Sequence, residues 1–196
     1  MKQTGSDLRK YPTVGVCGLD CGLCPRYYTE GPSRCPGCGG PDFLEKHPTC
    51  SFITCCVKKR NLEDCAECSD FPCSKFKNDE EYQQMKGSSS YPPNRKVMLN
   101  LNFIREYGME KFAEQQNKRI RLLETMLENF NDGRSKSFYC KATALLDIKI
   151  LEDSLDKAVQ NIESDNIRTG DAKSKAKILK ELLNEVAFKE GVELTK

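Results

Sequence analysis

The sequence predicts a mainly α-helical protein in which a small, metal-stapled, cysteine-rich region with little regular structure is followed by an all-α region. Eleven of the twelve cysteines lie between Cys17 and Cys73, in a segment rich in glycine and proline. From residue 95 onward apolar residues recur at helical spacing, and no run alternates as a strand would. We therefore expect a cysteine-rich domain at 13–77, a short helix and linker at 78–94, and a helical domain at 95–196.

The composition restricts the class of protein. Of 196 residues, 38% are hydrophobic and 31% charged, as in a soluble globular protein. A net charge of +2 gives no general attraction to nucleic acid or anionic lipid. No apolar run approaches the roughly 20 residues that cross a membrane, and "MKQTGSDLRKYPTVG" lacks the apolar core of a signal peptide. We expect a cytoplasmic protein with reduced cysteines.

The cysteine-rich segment carries turn chemistry rather than periodic apolar runs. "EGPSRCPGCGGPD" combines glycines, which allow positive φ, with prolines, which restrict φ. Such a segment is expected to bury too little apolar area to fold without metal. After it, Asn78 and Glu81 resemble a helix capping box, and "GSSSYPPN" reads as the end of that short helix.

Four apolar stripes predict the helices of the second region. They are formed by Val97, Leu101 and Ile104; by Ile120, Leu123, Leu127 and Phe130; by Leu151, Leu155, Val159 and Ile162; and by Ile178, Leu182 and Val186 with Leu179 and Leu183 alongside. "NDG" at 131–133 is expected to break the pattern. Asp147 is the predicted cap of the third stripe, and Gly170 with Asp171 marks a stop and a new start.

The strongest chemical signal is a C-x2-C-x10-C-x2-C spacing, formed by Cys21, Cys24, Cys35 and Cys38. Two knuckles, each presenting two sulfurs from a tight turn, can build a tetrahedral site of four thiolates. Zn²⁺ is well served by such a site because it has no d-electron preference for another geometry. Zinc, at about two ions per chain, is the expected cofactor.

Six further cysteines could supply a second site: Cys17, Cys50, Cys55, Cys65, Cys68 and Cys73. Together with the first four they exceed the eight ligands that two separate sites need, and ligands could be interleaved between sites. Three separate sites would need twelve ligands, which His47 and Cys56 could complete. We expect His47 to be a solvated loop imidazole, Cys56 to be an unligated thiol because it adjoins Cys55, and Cys140 to be a packed core thiol.

These motifs resemble the cysteine-rich domain-of-unknown-function family 3795. "CGLDCGLCPRYYT", "CPGC", "CSFITC" and "CAECSDFPCSKF" occur in the family's order, over roughly residues 13–77, and "NDGRSKSFYCKATALL" resembles a subset of its members. The resemblance implies zinc binding and brings no activity. The cysteines that match the motifs, and that it implies as metal ligands, are Cys17, Cys21, Cys24, Cys35, Cys38, Cys50, Cys55, Cys65, Cys68 and Cys73.

Other functions fit the sequence less well. The C-x3-C-x2-C run "CGLDCGLC" has the spacing of radical S-adenosylmethionine enzymes, but knuckles and helices follow it, not βα units. A ferredoxin-like iron–sulfur cluster stays open as the alternative, since Pro25 follows Cys24.

A nucleic-acid-binding zinc module rests mainly on "VKKR" at 57–60, and thiol redox chemistry would need an electropositive setting that the knuckles do not clearly supply. We therefore interpret the chain as a non-catalytic metal-binding protein, an interaction module with a protein as its favoured partner, rather than an enzyme.

Overall fold

A computed structural model describes residues 8–46, 50–76, 96–168 and 170–194. These ranges contain helices and turns and no strand, so the predicted mainly-α class is confirmed. The predicted short helix and linker at 78–94, and His47, lie outside the described residues. The α-helices are α1 (Phe43–Lys46), α2 (Val97–Tyr107), α3 (Met109–Asn129), α4 (Lys136–Leu145), α5 (Ile148–Ser164) and α6 (Ala172–Lys189).

The chain divides into two compact units, Met1–Gln116 and Asn117–Lys196. The first unit contains the cysteine-rich segment together with α2, and the second contains α4, α5 and α6. The domain boundaries drawn from the sequence, with a helical domain beginning at residue 95, stay a prediction about which parts fold independently.

The cysteine-rich segment has little regular structure, as its composition predicts. It forms short 3₁₀ turns at Cys21–Leu23 and Cys65–Glu67 and a π-helical turn at Ile53–Lys59. Residues 12–16 connect its parts through backbone hydrogen bonds. The carbonyl of Pro12 accepts from the Cys38 N–H at 2.7 Å, and that of Val16 accepts from the Cys65 N–H at 2.9 Å. Cysteine motifs that are distant in sequence thereby meet around one short segment.

The first unit has an apolar core that the cysteine-rich segment shares with α2. Val14, Val16 and Ile53 are almost fully buried in it, beside Val97 and Leu101 of α2. Each fully buried aliphatic side chain contributes about 1.5–3 kcal/mol relative to an exposed one. The segment therefore buries more apolar area than its glycine- and proline-rich sequence suggests, because a helix from outside the cysteine motifs covers it.

The second unit is built on the predicted apolar stripes. Leu151, Leu179 and Leu183 are fully buried, and Cys140 is buried as expected. Asp147 caps α5 by accepting a hydrogen bond from the Lys149 N–H. Asp171 caps α6 in the same way, accepting from the Ser174 N–H. Side chains that satisfy free N–H groups fix where these helices begin, so both predicted starts are confirmed.

The third stripe is buried only along part of its length. Leu151 is fully buried, Leu155 nearly so, and Val159 is 46% exposed.

Among the described residues, none of the helices combines the length and the apolar character that crossing a membrane requires.

Candidate metal centre

The two predicted knuckles meet at their outer cysteines. Cys21 begins a 3₁₀ turn that closes with a bond from the Cys24 N–H to the Cys21 carbonyl, at 3.1 Å. Cys38 follows Gly37, whose φ of 87° only glycine adopts readily. The Cys21 thiol donates a hydrogen bond to the Cys38 sulfur. Each knuckle therefore contributes one sulfur to a shared contact.

Cys38 is the sulfur in this contact that the surroundings favour as a thiolate. The hydrogen bond from Cys21 lowers its pKa to about 6, and the positive charge of Arg9 acts in the same direction. The Val16 N–H also points at the Cys38 sulfur, 3.4 Å away. The pKa of Cys21 is raised, because its proton is shared with Cys38 and because it is buried.

Cys17 and Cys24 interact with this pair, and Cys17 also interacts with Cys50. Cys17 is buried, which raises its pKa to about 12, and it interacts electrostatically with Cys38 and Cys50. Cys24 interacts in the same way with Cys21. Cys35 is half-buried, and its N–H donates to the Arg26 carbonyl at 3.0 Å.

The five cysteines between Cys55 and Cys73 surround a small cavity of about 20 Å³. That volume is room for one water-sized particle, since a single water needs about 10–15 Å³. Three aromatic rings, Arg60 and Lys75 complete the lining. The cysteines that line it are Cys55, Cys56, Cys65, Cys68 and Cys73.

Cys56 lies in direct contact with another thiol, and its expected place outside the set of metal ligands stays a prediction. It is 3% exposed and accepts a hydrogen bond from the Cys65 thiol, which lowers the pKa of Cys56 and raises that of Cys65. Adjacent side chains on a helical turn leave the axis in different directions. Within Ile53–Lys59, Cys56 therefore enters the core while Cys55 stays half-buried at the cavity.

Two arginines place positive charge beside the sulfurs. Arg60 donates from Nη1 to the Cys68 sulfur at 2.9 Å and from Nη2 to Asp70 at 2.6 Å. The side chain of Arg9 is fully buried, forms an ion pair with Glu63 at 3.3 Å, and donates to the carbonyls of Val14, Cys38 and Glu63. Thiolates are favoured next to such cations.

Sequence reasoning missed both arginines and Asp64. Arg9 stands in "DLRKYP", before the motifs, and no spacing rule marks it. Arg60 is part of "VKKR", a run that in the sequence indicates only a contact with nucleic acid. Asp64, fully buried, caps Cys65–Glu67 by accepting from the Ala66 N–H at 2.7 Å, and burial raises its pKa. Its place directly before a C-x2-C turn is the one signal that could have indicated this cap.

The thiols suit a thiophilic metal by their chemistry, but their arrangement is not that of a closed site. Across the described ranges, no three His, Cys, Asp or Glu side chains are grouped so that they could hold a metal ion. Sulfurs meet in pairs, Cys21 with Cys38 and Cys56 with Cys65. Which of the ten motif cysteines share an ion stays a prediction.

The fold and the site define a mainly helical protein with a cysteine-rich segment in which thiols from separate motifs are in contact. Residues 13–78 match the model of a family described as a protein of unknown function (DUF3795). The match covers the cysteine-rich segment, so the resemblance that its motifs predict is confirmed there. No curated protein matches the chain, and no solved structure matches it.

Proposed function

We propose that the cysteine-rich segment binds metal through its thiolates, most simply zinc at about two ions per chain, and that the metal has a structural role in a non-catalytic interaction protein. The observation that carries the proposal is the meeting of Cys21 and Cys38 across two separate knuckles. Paired knuckles are the arrangement from which zinc sites of four thiolates are built. Closing such a site would require further sulfurs to move toward this pair.

The environment of the sulfurs supports a thiolate centre. Arg9, Arg60 and the Val16 N–H place positive charge or a donor beside motif sulfurs. Thiolates are the form that binds metal. These groups would partly offset the negative charge that four thiolates bring to a divalent ion.

The size of the cysteine-lined cavity supports a structural role over a catalytic one. Pockets that bind small molecules have volumes of about 300–1,000 Å³, whereas the cavity between Cys55 and Cys73 measures about 20 Å³. An ion fits this space and an organic substrate does not. The iron–sulfur alternative draws on the same sulfurs, with Pro25 after Cys24 as its sequence support.

Metal analysis of the purified chain tests the proposal. We expect about two zinc ions per chain, loss of one in Cys38→Ser, and unchanged metal in Cys140→Ala, which removes a buried thiol outside the motifs, and in Cys56→Ser. Iron with the broad visible absorption of a cluster would favour the alternative. Equal metal content in Cys38→Ser and Cys140→Ala would contradict the ligand assignment.

A further inference from the structure

An open groove of about 630 Å³ runs along α5 in the second unit. Its floor is apolar and includes Leu122, Phe130, Leu155, Val159 and Ile162. Val159 continues the stripe that begins with the fully buried Leu151, yet 46% of its surface is exposed. The groove is thus the part of an amphipathic helix face that the second unit leaves uncovered.

The rim of the groove is acidic. Glu152, Asp156 and Glu163 line it from α5, and within the described part of the chain none of them forms an ion pair. A fourth carboxylate, Asp153, is paired with Lys149 at 3.0 Å. Among the lining residues that the structure describes, Lys175 is the other cation and forms no ion pair, so the groove is lined by three unpaired carboxylates and one unpaired ammonium group. This excess would attract a cationic partner and repel nucleic acid.

We propose that this groove docks a basic amphipathic helix of a partner protein. The apolar face of such a helix would cover the floor of the groove with side chains at positions i, i+3, i+4 and i+7. This is the spacing at which helices bind in hydrophobic grooves. Lysine or arginine side chains at its edges would face the carboxylates of α5. The stretch of α5 from Lys149 to Glu163 extends about 21 Å at 1.5 Å per residue, which matches a partner helix of about 14 residues.

None of the lining residues belongs to the cysteine motifs, because all of them lie between Leu122 and Lys175. The inference names a partner for the interaction role proposed above but does not require the metal. Metal content and peptide binding are therefore independent measurements, and either proposal can fail alone.

The test uses the full chain as purified and two synthetic helical peptides of about 14 residues. Both carry leucines at the anchor spacing; one has lysine and the other glutamate at the remaining positions. Fluorescence anisotropy with labelled peptide gives the two dissociation constants. We expect the lysine peptide to bind at least about tenfold more tightly than the glutamate peptide, because only the first complements the rim.

Variants separate the groove from general electrostatics. The double variant Asp156→Lys with Glu163→Lys should weaken binding of the lysine peptide at least about tenfold. Glu185→Lys with Glu190→Lys, the same charge change at and just after the end of α6 and outside the groove lining, should leave binding within about twofold. Val159→Asp adds negative charge to the floor of the groove. If the contact were purely electrostatic, this variant would bind the lysine peptide more tightly. If an apolar helix face docks in the groove, the variant should bind the lysine peptide more weakly.

Several outcomes would overturn the inference. These are no binding of the lysine peptide, equal loss in the two double variants, or binding retained in Val159→Asp. Sedimentation velocity tests whether a second copy of the chain occupies the groove instead. A dimer that dissociates in the Val159→Asp variant would assign the groove to that second copy. Thermal melts of each variant confirm that any loss is measured on folded protein.

Discussion

Arg9 is a buried cation that ties the start of the chain to the cysteine motifs. Its side chain is fully buried, its Nε donates to the Glu63 carbonyl at 2.9 Å, and its Nη1 donates to the Cys38 carbonyl at 3.2 Å. It joins segments that are 29 and 54 residues away from it. A buried charge is costly to desolvate, so its partners must all be present for it to stabilise the fold.

Replacing Arg9 by Met should therefore destabilise the first unit by about 3 kcal/mol, because buried carbonyls and Glu63 lose their partner. The shift of the urea midpoint, at constant m-value, measures it. Arg121→Met, a substitution of an exposed arginine, is the control and should change stability by less than about 0.5 kcal/mol. Equal effects of the two substitutions would mean that Arg9 contributes only its aliphatic packing.

At the scale of elements, α2 contacts the cysteine-rich segment so closely that a side chain does not fit between them. A Cβ on Gly18 would lie 2.7 Å from the Val97 carbonyl oxygen and 2.8 Å from Leu101 Cγ. From α2, Asn100 donates to the Gly18 carbonyl at 2.8 Å and to Asp20 at 3.1 Å. The first cysteine motif and α2 are thus joined by packing and by a buried amide.

Gly18→Ala should push α2 away from the first cysteine motif and destabilise the first unit by about 3 kcal/mol. The loss has two causes, which are the strain of a positive φ in alanine and the overpacking of its Cβ. Gly31→Ala is a matched control, because Gly31 also has a positive φ, of 77°, but open space around it. It should cost only the backbone strain, about 1–2 kcal/mol. Chemical denaturation of both variants gives the difference, and equal losses would contradict close packing at Gly18.

Asp132 joins the α3–α4 connection to α6. It accepts from the Ser135 hydroxyl at 2.5 Å, from the Arg134 N–H at 2.9 Å and from the Lys180 ammonium at 3.2 Å. The hydrogen bond from Ser135, followed by that from Arg134, lowers the pKa of Asp132. Its stabilisation is therefore complete above the unfolded-state pKa of about 3.9 and is lost as pH falls toward the folded-state value.

Asp132→Asn should reduce the stability of the second unit by about 1 kcal/mol at neutral pH and make its profile flatter below about pH 4. Thermal melts between neutral pH and pH 3 on the wild type and the variant measure this. The control is Asp165→Asn, at an exposed position, which should keep the wild-type slope. A wild-type slope in Asp132→Asn would show that other carboxylates carry the acid sensitivity.

For the whole molecule, the two units predict an unequal response to metal removal. If metal staples the cysteine-rich segment, its loss should also release α2, because Val97, Leu101 and Ile104 share the core with Val14 and Val16. Helices α4 to α6 belong to the other unit, with their own buried leucines. Structural zinc contributes on the order of 10 kcal/mol to the folding free energy of zinc-finger peptides. A contribution of that size is enough to determine whether a small unit is folded or unfolded.

Amide hydrogen exchange after chelation tests this expectation. Protection should fall together in 14–71 and 97–107 and persist in 136–164 and 172–189. The metal-loaded chain in the same buffer is the control. Persistent protection of 97–107 after loss in 14–71 would show that α2 is held by the helical unit instead. Uniform loss would mean that the two units unfold as one.

Local signals in the sequence were sufficient to predict α2, α3, α5 and α6, whereas no apolar stripe indicated α1 or α4. Asp147 and Asp171 satisfy N–H groups within three residues, and "NDG" interrupts the apolar period, so both kinds of signal act over a few neighbours. The motif cysteines were likewise recognisable, because ligand spacing within a turn is a local property. Cys140 was recognisable as a core thiol from its apolar neighbours.

Only the tertiary structure decided which distant parts meet. Arg9, Gly18 and Cys56 acquire their roles from residues far away in sequence, and no periodicity encodes such contacts. The stripe of α5 looks uniformly apolar in sequence, but burial depends on what covers it: Leu151 is enclosed and Val159 faces the groove. The sequence by itself determined a helical chain with a thiol-rich segment. The shared core with α2 and the acidic groove followed from long-range packing, which depends on three-dimensional neighbours.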